Sequence, residues 1–267
     1  MSYTIHPFAK IQGLTVDTIR EYERKGVVTP MQGSNGYRYF SDYDVRAVST
    51  CKLYCSFGFT ISQARDLLHS KCPQLLANSF NEQINTLEYE IKILNNRKKR
   101  LNNHIQYLSC IEENKAITVK LPISFNFLHA QNNKYEKSYE VSEQLSAWVK
   151  HMPITYYTYI IEQSSMNQND VFDYWMAFTC DKEDAIELQL PTRYQVCESP
   201  SVECVMIIMS KYDDELLESR HIQPAYDSFL NMGYKLVHDI SLLYLSSELK
   251  GNRTINHHAV FFPYNFL

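Results

Sequence analysis

No run of about 18 consecutive apolar residues occurs in the 267-residue chain, so no membrane-spanning helix and no membrane partner are expected. The opening MSYTIHPFAKIQG lacks the basic-then-apolar order of an export signal. The seven cysteines are odd in number and scattered, with no CxxC pair. That argues against a disulfide framework and for reduced thiols in a cytoplasmic protein. Glycine is scarce, and five of its seven copies (Gly13, Gly26, Gly33, Gly36, Gly58) fall in the first 60 residues. Each marks a break between apolar segments, so the front of the chain should consist of short elements joined by tight turns.

A net charge of −4 argues, taken alone, against a nucleic-acid binder, but the charge is unevenly spread. Residues 1–76 carry +3, residues 77–115 carry +1 and residues 116–267 carry −8. A basic front that meets phosphate and an acidic back that avoids it fit this split. The length and a 45% hydrophobic content allow more than one packed domain.

The front reads as a winged helix-turn-helix. Residues 5–12 have helical spacing, Gly13-Leu14 turns, and Thr15 is an N-cap for a second helix running to about Lys25. Asn35-Gly36 within GSNGYRYF signals a type I′ hairpin, hence a wing. Ser41 with Asp44 and Thr60 with Gln63 start two further helices, 41–57 and 60–69. On the second helix Thr15, Thr18, Arg20 and Tyr22 are expected to face outward and, with Asn35, Tyr37 and Arg38 of the wing, to contact DNA. Arg reads guanine edges or holds phosphate, and hydroxyls hold phosphate.

Residues 80–108 repeat apolar positions in alternating steps of four and three: Phe80, Ile84, Leu87, Ile91, Leu94, then Lys98, Leu101, Ile105 and Leu108. This heptad predicts a coiled coil between two copies of the chain. The division expected is therefore a DNA-binding domain over 1–76, a dimerisation helix over 77–115 and an α+β effector domain over 116–267.

In that last region, strands are expected at 117–128, 155–162, 173–180, 193–198, 202–209, 236–245 and 257–267. Helices are expected at 136–151 and 213–233, the latter kinked or broken at Pro224. Two strand–helix–strand blocks suggest an internal duplication. The region holds both tryptophans, 12 of 20 tyrosines and 8 of 13 phenylalanines. An aromatic pocket in an acidic domain suits lipophilic aromatic or cationic molecules. Its expected lining is Tyr139, Trp148, Tyr157, Tyr159, Glu162, Trp175, Phe178 and Tyr244, with Glu162 or Asp173 meeting a cation. The adjacent His257 and His258 should point to opposite faces, a poor ligand pair, and no nucleophile–base pair stands out. A metal- or redox-sensing regulator, with Cys72 and Cys110 flanking the long helix, is the alternative, and a hydrolase-like effector domain a further one. No enzyme activity, cofactor, metal or catalytic residue is expected.

The stretch YTIHPFAKIQGLTVDTIREYERKGVVTP…NGYRYFSDYDVRAV…FGFTISQARDLL, residues 3–68, resembles the MerR family of transcription regulators. Arg20, Tyr22 and Arg38 match the family pattern, whereas Glu21 stands at its first tyrosine and Cys55 at a position often basic. The resemblance implies a homodimer that binds a palindromic operator in double-stranded promoter DNA. It would bend and untwist that DNA so that RNA polymerase meets both promoter elements in register, activating transcription. In layout the back half resembles the gyrase-inhibitor-like effector domain of the family's multidrug-sensing branch. Such domains can hold a buried glutamate near the C-terminus, where this chain offers only Asp239.

Overall fold

The computed structural model describes residues 2–70, 72–113, 115–132, 134–135, 138–167 and 173–266. The chain forms two compact units, Met1–Lys92 and Ile93–Leu267.

The first unit runs β1 (Ser2–Tyr3), α1 (Ile5–Gln12), α2 (Val16–Arg24), β2 (Met31–Gln32), β3 (Arg38–Ser41), α3 (Asp42–Ser56), α4 (Ile61–His69) and the start of α5 (Pro73–Glu113). The three strands form one small antiparallel sheet, ordered β1-β3-β2. Local chemistry sets the helix starts. Thr15 Oγ1 accepts the Thr18 N–H, and Ser41–Asp44 and Thr60–Gln63 both close capping boxes. Phe8 stacks on Phe40 with ring centroids 4.3 Å apart, amid Ile19, Val48, Cys51 and Ala64. Phe80 leaves the expected heptad seam: it packs edge-on to Tyr54 and Phe57 and beside Phe59, docking α5 on its own unit.

The wing is present, but its turn differs from the expected type I′. The loop spans 33–37: the Gly36 N–H bonds the Gly33 carbonyl and the Gly33 N–H bonds the Tyr37 carbonyl. Gly36 alone is left-handed, at φ +79°, while Asn35 keeps negative φ. Its side chain is engaged instead, accepting the Tyr37 N–H and donating to the Tyr39 hydroxyl. A local side-chain bond has replaced the backbone conformation that a two-residue loop would need.

The second unit contains the rest of α5, then β4 (Ile117–Leu121), β5 (Ser124–Gln131), β6 (Lys134–Tyr135), α6 (Tyr139–Val149), β7 (Tyr156–Ile161), β8 (Tyr174–Asp181), α7 (Lys182–Glu187), β9 (Val196–Ser199), β10 (Val202–Tyr212), α8 (Ser219–Asn231), β11 (Tyr234–Leu236), β12 (Ile240–Lys250) and β13 (Arg253–Phe266). The main sheet order is β4-β10-β13-β12-β7-β8-β5-β6. It contains two similar blocks, β5-α6-β7-β8 and β10-α8-β12-β13, meeting at the antiparallel β7–β12 pair. Strand orders 5-8-7 and 10-13-12 are related by a half-turn about that pair, as the two expected blocks suggested.

Several boundaries differ from the sequence reading. Residues 117–128 form two strands divided at Pro122, which cannot donate to a ladder. The helix expected from 213 begins at Ser219 and continues through Pro224 to Asn231. Helix α7 had no counterpart in the reading. Strands β12 and β13 run on into a hairpin closed at the Lys250–Arg253 pair, with Gly251 left-handed at the first turn position, as a type II′ turn requires. Residues 136 and 137 of the expected helix and Leu267 of the last strand lie outside the described residues.

The sheet has two covered faces. On one, α8 packs over Val205, Val260 and Phe262, and α6 packs over Phe127, Phe178 and Cys180. On the other, Tyr107 and Cys110 of α5 meet Cys204, Met206, Ala259 and Phe261. Ile93, Arg100 and Tyr107, seven residues apart, present one stripe of α5 to this unit. A different stripe carries the exposed heptad residues: Leu94, Leu101 and Ile105 are 58%, 65% and 66% exposed. An apolar stripe of this length suits α5 to dimerisation. No described helix is long and apolar enough to cross a membrane.

Candidate functional site

The DNA-facing residues expected from the sequence lie on α2 and the wing. Thr15, Arg20, Asn35, Tyr37 and Arg38 are exposed, and Thr18 is half-buried. Thr15 and Thr18 hydroxyls are 2.8 Å apart at the start of α2. Arg20 Nη1 donates to Asp17 Oδ1 at 3.0 Å, and Arg38 Nη1 to Glu23 Oε2 at 2.8 Å. Both arginines are mostly solvated, so these pairs hold them weakly and leave the guanidinium free to exchange onto phosphate. Buried Asp44 ties the pieces together. It accepts from the Ser41 N–H and hydroxyl at 2.7 Å and from the Thr29 N–H at 3.2 Å, fixing the segment before the wing to the start of α3.

Tyr22 departs from the outward placement expected of it. Its ring is only 5% exposed, in the core with Ile19 and Cys51, and burial raises its pKa. The cause is spacing, since residues 19 and 22 share one helix face. Tyr43 and Arg46, exposed on α3 just past the wing strand, were not singled out from the sequence.

In the second unit, Trp148, Tyr157, Tyr159, Phe178 and Tyr244 fall on one continuous aromatic seam on the α6/α8 face. Ring-centroid distances run Trp148–Phe127 5.8 Å, Phe127–His129 6.1 Å, His129–Phe178 5.6 Å, Phe178–Tyr157 5.8 Å and Tyr157–Tyr159 5.3 Å. Beyond these, Tyr159–His258 is 6.1 Å and His258–Tyr244 5.7 Å. Trp148 is fully buried and donates from Nε1 to the Pro191 carbonyl, which makes it an anchor of the seam floor. Tyr139, 78% exposed, stands at the mouth of a cavity of about 400 Å³ that His129, Tyr135, Val141 and Leu145 also line. Trp175 and Glu162 are joined to each other, Trp175 Nε1 donating to Glu162 Oε1 at 3.5 Å, but stand apart from the seam. Trp175 neighbours Tyr174, so strand alternation puts it on the opposite face.

The sequence reading missed His129 and the setting of His258. His129 is the extra residue of a β-bulge, since Leu128 pairs with Ala177 and Ala130 with Met176. A second bulge at Leu245 follows the Tyr244–His258 pair. Both ring nitrogens of His129, the Tyr157 hydroxyl and His258 Nδ1 are buried and find no hydrogen-bond partner among the described residues. Burial lowers the His129 pKa and pulls that of His258 to about 4, while it raises that of Tyr157. As expected, His257 faces the other way, its Nδ1 2.7 Å from Ser210 Oγ.

A larger cavity of about 700 Å³ lies on the opposite sheet face, lined in part by Arg100 and Tyr107 of α5. Four of its polar residues satisfy one another: Thr158 and Thr179 hydroxyls are 2.7 Å apart, Thr179 donates to Asn126, and Asn126 donates to Ser199. Arg100 stacks 3.6 Å over the Tyr156 ring and donates to the Pro153 and Ile154 carbonyls. Among the described residues no group of three His, Cys, Asp or Glu side chains is gathered as a metal site.

Residues 3–71 match the family described as "MerR HTH family regulatory protein". An uncharacterised HTH-type transcriptional regulator of Synechocystis is 30% identical over 104 residues, 37% of this chain and 76% of that protein. The multidrug-efflux transporter 2 regulator of Bacillus subtilis is 25% identical over 130 residues, 48% of this chain and 46% of that protein. Other curated regulators match more closely, but over only about a quarter to a half of their own length. A chain from a cryo-EM structure of the EcmrR–DNA complex in EcmrR-RPo aligns over 99% of this chain and all of its own, at 14% identity and TM-score 0.41.

Proposed function

Because this chain belongs to the MerR family of helix-turn-helix regulators, we propose that it is a dimeric, DNA-binding transcription regulator controlled by an aromatic small molecule. The observation that carries the ligand half of this reading is the aromatic seam, which meets an open cavity of a size suited to a small ligand at His129. The multidrug-efflux name of the Bacillus relative supports the same assignment. The DNA half rests on α2 and the wing, with Arg20, Asn35, Tyr37 and Arg38 in solvent and only weakly engaged. The heptad stripe of α5 would pair two copies and so present two α2 helices to a palindromic operator, with RNA polymerase acting on the distorted promoter.

Gel-shift titration of the full chain against the duplex upstream of its own gene tests this reading. Salt-sensitive, sequence-specific retention is expected, and Arg20→Ala should weaken it about tenfold or more. Equal retention of an unrelated duplex, or none of either, would refute the DNA-binding assignment.

A further inference from the structure

The seam has an unusual polar inventory. His129 is 4% exposed, borders the 400 Å³ cavity, and has both ring nitrogens unmet among the described residues. A neutral imidazole offers one donor and one acceptor, so a group that meets it fully must accept at one point and donate at another. Buried polar atoms left this way are costly in the empty protein and gain most from a ligand that bonds them.

Among the described residues the seam also lacks what a cation needs. Each acid expected to serve one is engaged elsewhere. Glu162 accepts from Trp175 and Ser164, Asp173 from the Asn132 amide at 2.6 Å, and Asp239 from the Gln163 N–H at 2.9 Å. Burial alone accounts for the lowered His129 pKa, with no charged neighbour contributing. Among the described residues, a cation placed there would lose its hydration with ring faces in return and no free acid beside it.

We propose that the seam selects a neutral, planar, hydroxylated aromatic molecule of the polyphenol class over a lipophilic cation, with His129 reading its hydroxyl groups. The Tyr135 ring, stacked beside the imidazole, supplies an aromatic face at the cavity, and the bulge in β5 places His129 on its wall. This inference rests on the aromatic-ligand reading above but narrows the chemistry.

Calorimetric titration of the full chain with three probes separates the two. The probes are a trihydroxyflavone, unsubstituted flavone and tetraphenylphosphonium. The trihydroxyflavone should bind at least about tenfold more tightly than either of the others. His129→Phe keeps the ring and should reduce its affinity to that of flavone, leaving flavone unchanged, while His129→Gln, which keeps a donor and an acceptor, should retain most of it. An unaltered circular-dichroism spectrum of both variants checks folding. Tighter binding of tetraphenylphosphonium, or equal losses for both flavones in His129→Phe, overturns the inference while leaving an aromatic site in place. Failure of all three probes to bind rejects the aromatic-ligand reading together with it.

Discussion

Leu101 lies near the middle of the exposed stripe of α5 and is 65% exposed in the single chain. Burying a leucine side chain completely is worth about 1.5–3 kcal/mol. Covering the exposed two-thirds therefore contributes about 1–2 kcal/mol per chain. A symmetric pair contains two copies, and alanine retains one methyl group, so Leu101→Ala should cost the dimer about 2–3 kcal/mol. That corresponds to a roughly 30- to 150-fold rise in the dimer dissociation constant. Sedimentation equilibrium over a concentration series measures it directly. Ile186, 62% exposed on α7, is the control, because it lies off the stripe and its substitution by alanine should leave the constant unchanged. Lys98→Leu, filling the one polar heptad position, should shift association the other way. A wild-type chain that stays monomeric at micromolar concentration, or a Leu101→Ala dimer as tight as wild type, would refute the pairing argument.

Two further outcomes follow from local geometry. Gly36→Ala should destabilise the first unit by about 1 kcal/mol, because its φ of +79° is costly for a side chain even though nothing crowds a Cβ there; urea unfolding that matches wild type would show that the wing relaxes without strain. The second outcome concerns His258, whose folded pKa of about 4 lies below the ordinary 6.5. Burial, Lys211 and His257 all disfavour its charge, the Asn256 backbone favours it, and Tyr159 and Tyr244 face its ring. Between those values the unfolded chain binds a proton that the folded chain does not. Stability should therefore fall by up to about 3 kcal/mol as pH drops from 6.5 to 4, and level off below. His258→Phe should flatten that slope, and parallel urea midpoints for the two proteins across this range would exclude His258 as its source.

The front of the chain was legible because its signals are local. Thr15, Ser41 and Thr60 each cap a helix within four residues, and such bonds are written in adjacent sequence. At the wing two local options compete: Asn35 can turn left-handed or bond its neighbours, and it bonds Tyr37 and Tyr39. Tyr22 was misplaced although its spacing from Ile19 foretold burial. The aromatic content of the back half was visible, but its arrangement was not. Strand alternation alone separates Trp175 from Tyr174, yet only the long-range register of β5, β7, β8, β12 and β13 decides which rings meet. The bulge that turns His129 toward the cavity depends on pairing with a strand nearly 50 residues later. A single histidine in an apolar strand gives no hint of it.

The two stripes on α5 impose a mechanical condition on the molecule. Ile93 and Leu94 are neighbours in sequence, so the stripe that meets the sheet and the stripe left in solvent are about 100° apart around one stiff rod. The rod has a single azimuth to share between them. Any rotation that seats Ile93, Arg100 and Tyr107 more deeply swings Leu94, Leu101 and Ile105 by the same angle. The helix is thus a crankshaft, and its torsional setting cannot be tuned for one surface without being felt at the other.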